Sequence, residues 1–212
     1  QKTAYEIPKR DWSSDVCSSD LCSYMQKLRA KLKIFLLTDN ISILIKDYSK
    51  KFNNLFVVYR NYTNTNTNIN FNNILKLKKK FNFKIFITNN VNLANIKNID
   101  GFYIPSFIKK IKFLNLRKNI LIVGSAHNHM EIQKKIRQGC KIIFLSSIFK
   151  NNKGNSFLGV TKFNLLTLNY NVKFVALGGI NYNNYKKIYM TKSIGIGGMT
   201  FGNDFLKLYK KI

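Results

Sequence analysis

Acidic side chains are nearly missing from this chain. Nine Asp and Glu stand against 36 Lys and Arg, a formal net charge of +27. Four of the nine (Glu6, Asp11, Asp15 and Asp20) fall within residues 1–21, and downstream only Asp39, Asp47, Asp100, Glu131 and Asp204 remain. Cysteine is also scarce. Cys17 falls within residues 1–21, and Cys22 and Cys140 form no close-spaced metal or redox pair, so no disulfide framework is implied, which agrees with a reducing cytoplasm. Long apolar runs are missing as well: none approaches the ~18 residues of a membrane span.

The first stretch, QKTAYEIPKRDWSSDVCSSDL (1–21), does not match the rest in composition. It holds the only Trp (Trp12) and one of the two prolines (Pro8). A secretory leader needs an apolar core and a mitochondrial presequence avoids acids, so neither fits. Back-translated, QKTAYEI and DWSSDVCSSDL match in one frame the two constant parts of a standard sequencing adapter, with PKR as the variable index between them. Residues 1–21 are therefore expected to be an artefactual extension outside the fold, disordered or loosely docked, with Met25 a candidate in-frame start. Residues 22–212 are expected to form one domain.

A basic excess of this size suggests nucleic acid or an anionic membrane. A mutational origin competes, because Lys, Asn, Ile, Phe and Tyr all have AT-rich codons. The lysines are spread through every candidate helix rather than massed in a tail. No specific nucleic-acid or membrane partner is expected. The tract NYTNTNTNINFNN (61–73) reads as a loop.

From Leu32 onward, short β-branched and aromatic runs recur: 33–38, 54–60, 83–88, 101–105, 119–125, 141–146, 172–179 and 193–198. They are apolar on successive residues, as in strands buried on both faces. Between them lie stretches with apolar residues at helical spacing, among them 41–52, 128–139 and 203–212. Gly139 is placed as a helix stop. Eight strands, each followed by a helical segment, predict an α/β fold of the (β/α)8 TIM-barrel type. The alternative, a doubly wound open sheet, wants a glycine-rich turn after its first strand, and LLTDNIS (36–42) has none.

In such barrels, sites gather at the C-terminal strand ends, and phosphate is often held by the last two loops. Gly178 and Gly179 follow the seventh run, and Gly195, Gly197 and Gly198 lie in the eighth. Glycine lets backbone N–H groups approach an anion, although the same residues can simply turn tight corners.

The order of motifs is similar to that of the thiamine phosphate synthase/TenI family. KIFLLTD (33–39) resembles its first strand, and VVYRNY (57–62) its Val-Gln-Tyr-Arg-x-Lys motif. FITNNVNLA and DGFYIPS, within 86–106, resemble its Asn-Asp and Asp-Gly-x-His-x-Gly segments. GSAHNHMEI (124–132) resembles its Ser-x-His motif, and 143–160, VALGGI (175–180) and SIGIGGMT (193–200) complete the order. The resemblance implies an enzyme that joins hydroxymethylpyrimidine diphosphate to a thiazole phosphate by way of a pyrimidine carbocation. It implies Arg60 as diphosphate anchor, Ser125 and His127 as catalytic groups, and Asn89, Asn128 and Lys153 as substrate contacts. Lys153 matches only with a one-residue deletion. Gly159, Gly178, Gly179, Gly197 and Gly198 are implied as the thiazole phosphate cradle. Arg60 could otherwise be an ordinary strand-end cation, and His127 a structural histidine.

The departures concern charge. The family Gln and Lys of the second strand are Val58 and Tyr62. The Mg²⁺-binding Asp of the third loop falls at Asn90, and no acid lies between Gly101 and Val123 to replace that of the fourth. Mg²⁺ usually takes one or two carboxylates plus substrate phosphates, so the protein's metal ligands are expected to be lost. A TenI-like thiazole phosphate tautomerase and a non-enzymatic phosphate-binding barrel are the alternatives.

Overall fold

The structure is a computed structural model that describes residues 32–39, 55–60, 67–88, 90–110, 115–151, 154 and 156–199. The expectations for residues 1–21, for helices at 41–52 and 203–212, and for Asn89 and Lys153 lie outside these. All described residues belong to the compact unit that begins at Leu32.

Eight parallel strands close into a barrel in chain order, each paired with its sequence neighbours and the last with the first. They are β1 Lys33–Thr38, β2 Leu55–Tyr59, β3 Lys84–Thr88, β4 Gly101–Ile104, β5 Leu121–Ala126, β6 Ile142–Ser146, β7 Lys173–Leu177 and β8 Gly195–Gly198. Each falls within or against one of the apolar runs, and no open-sheet edge remains. Burial on both faces explains the continuous apolar sequence. Along β1, Ile34 and Leu36 face an outer core shared with the helices, while Phe35 and Leu37 face the barrel interior.

That interior is filled by aromatic side chains. The rings of Phe35 and Phe56 stack at 4.7 Å, and Phe144 meets Phe35 edge-on at 5.1 Å. Eight strands leave just enough width for side chains to fill, so large rings on one side need small residues on the other. β8 supplies them: a Cβ on Gly197 would meet Leu177, Leu37 and Phe144 at 3.1–3.5 Å. Lys33, Lys84 and Lys173 gather at the opposite, N-terminal end. There Lys33 and Lys84 lie over the Phe56 ring at 5.5 and 5.6 Å. Burial, with the charges of Lys173 and Lys84, pushes the Lys33 ammonium below its ordinary pKa.

Four α-helices are described: α1 Thr67–Phe81, α2 Val91–Ala94, α3 His129–Arg137 and α4 Gly159–Thr167, with a 3-10 helix at Tyr185–Met190. α1 corrects the loop expected at 61–73, because its first seven residues come from that tract. Asn is a poor helix former in isolation, but Ile74 is buried and Leu75, Leu77 and Phe81 pack on the outer core. Helices in proteins owe most of their stability to such a packed face. Between β4 and β5 the described residues carry no helix. Side chains of α3 and its C-cap brace the connection instead: Lys135 Nζ donates to Pro105 O at 2.6 Å, and the C-cap Gln138 Nε2 to Ile108 O and Lys110 O at 3.0 and 2.6 Å.

α3 ends as its sequence requires. Gly139 takes φ +83°, its N–H donates to Ile136 O, and Cys140 N–H donates to Lys135 O. This is the double hydrogen bond of a Schellman cap. No described helix is long and apolar enough to cross a membrane.

Candidate active site

The C-terminal mouth of the barrel opens into a cavity of about 870 Å³. Arg60, Ser125, His127, Gly178, Gly179, Gly197 and Gly198 all border it. Residues far apart in sequence meet here because each follows or ends a strand, and all the strands point the same way.

Arg60 leaves the end of β2 with its N–H donating to Thr38 O at 3.0 Å. Its guanidinium reaches Asp39 at 3.4 Å, and its Nε is buried without an acceptor among the described residues. The arginine therefore has an internal anion, which the sequence reading did not supply. Ser125 is buried on β5, where its Oγ accepts a 3.0 Å hydrogen bond from the Tyr103 hydroxyl of β4. Tyr103 also borders the cavity and stands where the family pattern has histidine.

His127 is half exposed, and its Nδ1 lies 2.9 Å from Glu131 Oε2, which also accepts the His127 backbone N–H at 2.8 Å. Glu131 thus fixes the ring and, in the neutral form, holds the proton on Nδ1, leaving Nε2 as an acceptor. Asn128 has a different task from the one expected. It is the N-cap of α3, its Oδ1 accepts from Glu131 N–H at 3.0 Å, and it does not border the cavity. Gly159 also departs from the expected place: its N–H donates to Ile148 O at 2.9 Å, and it is not among the residues lining the cavity.

Gly178 and Gly179 adopt φ +91° and +70°. A Cβ on Gly178 would press on Ser147 at 2.6 Å, and one on Gly179 would collide with the Phe149 and Lys150 carbonyls. Part of the reason for glycine here is thus packing against the loop after β6. Even so, neither N–H donates to a described protein acceptor, and both residues line the mouth. That loop also brings Lys150 to the cavity, a cation the sequence reading passed over in favour of Lys153. Asp39, Tyr103 and Lys150 are the residues sequence reasoning missed. All three lie in or beside motif segments, but their roles depend on neighbours across strands.

The donors among the described residues do not suit a bound Mg²⁺. Asn90 is neutral, and its Oδ1 accepts from Leu93 N–H at 2.9 Å as the N-cap of α2. Among the described residues, the Asp39 carboxylate is paired with Arg60 and that of Glu131 with His127. Asp100 is held by Lys78 at the start of β4, the far end of the barrel.

The fold and mouth define a (β/α)8 barrel with a cation-bearing cavity, partly apolar in its lining, at the carboxyl ends of its strands. The profile of the family described as thiamine monophosphate synthase matches residues 54–200, and the chain belongs to that family. It is similar to a thiamine-phosphate synthase of Prochlorococcus marinus, 34% identical over 124 residues, a match covering 56% of this chain and 34% of that protein. The chain thus spans about a third of that relative's length. A thiamine-phosphate synthase of Pelagibacter ubique is 26% identical over 182 residues, covering 82% of this chain and 84% of that one. Among solved structures, thiamine phosphate pyrophosphorylase from Pyrococcus furiosus superposes with a TM-score of 0.69 at 18% identity, over 87% of this chain and 95% of its own. At that identity the likeness speaks for the fold alone.

Proposed function

We propose that the protein is a divergent thiamine phosphate synthase, a transferase acting on two phosphorylated substrates. In the reaction, the bond between the pyrimidine methylene carbon and the diphosphate oxygen breaks and its electron pair leaves with diphosphate. The thiazole nitrogen lone pair then forms the new carbon–nitrogen bond, giving thiamine phosphate and free diphosphate.

Charge builds up on the departing diphosphate, so the protein's task is preorganised electrostatic stabilisation. Arg60 supplies a planar fork of donors suited to phosphate oxygens, and Lys150 a second cation. Ser125, whose oxygen is occupied by the Tyr103 hydroxyl, is left to donate its own proton into the cavity. The backbone N–H groups of Gly178 and Gly179, with the end of β8 at Gly197 and Gly198, are assigned to the thiazole phosphate. Leu37 and Leu177 at the cavity floor limit the water that could capture a carbocation. No step is assigned to Mg²⁺, for which the described residues provide no unpaired carboxylate. A cytoplasmic location fits this reading and the free, buried Cys140.

One observation carries the proposal: the candidate diphosphate anchor and the glycine-lined loops border a single cavity. Incubating the chain with both substrates tests it, and formation of thiamine phosphate with release of diphosphate is the expected result. No product, with the thiazole phosphate still bound, would favour a tautomerase. That second reading has its own support in the carboxylate-oriented His127, which has the geometry of an acid–base group.

A further inference from the structure

Arg60 has five N–H donors, yet the described contacts give its guanidinium one partner, Asp39, and leave Nε buried and unpaired. Barrel register brings the two together. Thr38 of β1 pairs with Tyr59 of β2, so the next residue on each strand emerges at the mouth beside the other. The pair is unequal: the Arg60 side chain is 14% exposed and that of Asp39 62%. A mostly solvated carboxylate at 3.4 Å is a weak, screened partner. A diphosphate can accept two parallel N–H bonds and is a stronger one.

We propose that Asp39 is a positioning residue that stands in for the substrate's anion. It holds the Arg60 guanidinium at the mouth, yields it to an incoming diphosphate, and competes for it again when diphosphate is the product to be released. This rests on the reading of Arg60 as diphosphate anchor and adds to it a built-in competitor. Besides Arg60, the basic side chains among the cavity's lining residues are Lys150 and His127, the latter paired with Glu131. Among the described residues, Arg60 is the ion-pair partner of Asp39.

The test is calorimetric titration of the full chain with inorganic diphosphate, without divalent ions and at two salt concentrations. It compares wild type, Asp39→Asn, Asp39→Glu, Arg60→Ala and the Asp39→Asn/Arg60→Ala double variant, with circular dichroism confirming the fold. Asp39→Asn is expected to bind diphosphate about fivefold more tightly, the scale of one exposed ion pair. The gain should shrink at high salt and largely vanish in the Arg60→Ala background, and Asp39→Glu should stay near wild type. Unchanged or weaker binding by Asp39→Asn overturns the proposal, as does an equal gain without Arg60. In a parallel titration with Mg²⁺ added, a Mg²⁺-dependent component of binding that disappears in Asp39→Asn also overturns it, since it would make Asp39 a metal ligand. If Arg60→Ala alone leaves diphosphate binding intact, the anchor itself fails. The same proteins assayed for thiamine phosphate formation then show whether the proposed reaction survives without it.

Discussion

Arg60 follows a strand in which every residue is buried, and a guanidinium in that position needs partners for its donors. This much was legible in the sequence, because a lone arginine closing an apolar run is costly unless something anionic meets it. The identity of that partner was not, since the meeting of Asp39 and Arg60 depends on strand register. The same holds for Tyr103 and Ser125, 22 residues apart yet joined by one hydrogen bond. Arg60→Ala is expected to weaken diphosphate binding by about 2–3 kcal/mol, the scale of a charge-assisted contact, measured by titration. Mg²⁺ alone is expected to give no binding heat up to about millimolar concentration, since a hard cation needs carboxylates to bind tightly. Saturable micromolar binding would contradict that.

At the scale of elements, the eight strands could be read because burial on both faces forces an apolar, β-branched sequence. The stop of α3 could be read because only glycine is at ease at φ +83°. α1 was not legible: its first turns are Asn- and Thr-rich, and what fixes the helix is packing further along, at Ile74 and beyond. The two glycines after β7 were legible as a pair at the mouth of the barrel, but their duty of making room for the loop after β6 is visible only in three dimensions. Gly179→Ala should therefore destabilise the fold by at least about 1 kcal/mol through strain at positive φ, and by more through its collision with the Phe149 carbonyl. Chemical denaturation would report it. Asn128→Ala should cost about 1 kcal/mol through loss of the α3 cap, and with it some of the order imposed on Glu131 and His127.

For the whole molecule, charge separates the two ends of the barrel: a lysine cluster at the bottom, an arginine with its own counter-ion at the mouth. Among the described residues Lys135, on α3, is fully buried, its Nζ donating to the Pro105 carbonyl. Burial lowers the Lys135 pKa to about 8 from 10.5, against the opposing influence of Cys140 and Glu131, and raises that of Cys140 to about 12. With the folded value depressed, the unfolded chain binds more protons above about pH 8, so this lysine's penalty on folding fades as pH rises. Wild type should gain stability relative to Lys135→Met between about pH 8 and about pH 9, by up to about 1 kcal/mol per pH unit. Cys140 opposes this trend as the unfolded thiol, with its ordinary value of 9.0, ionises, and because wild type and Lys135→Met share that thiol, the difference between their thermal melts reports the lysine. The central claim is spatial: two phosphorylated groups share one mouth, diphosphate on Arg60 and the thiazole phosphate on the glycine-lined ends of β7 and β8. A crystal structure of the protein soaked with thiamine phosphate and diphosphate tests it most directly. The account predicts diphosphate oxygens within hydrogen-bond distance of the Arg60 guanidinium and the monophosphate against the N–H groups of Gly178 and Gly179. Diphosphate bound away from Arg60, or both groups outside this cavity, would contradict it.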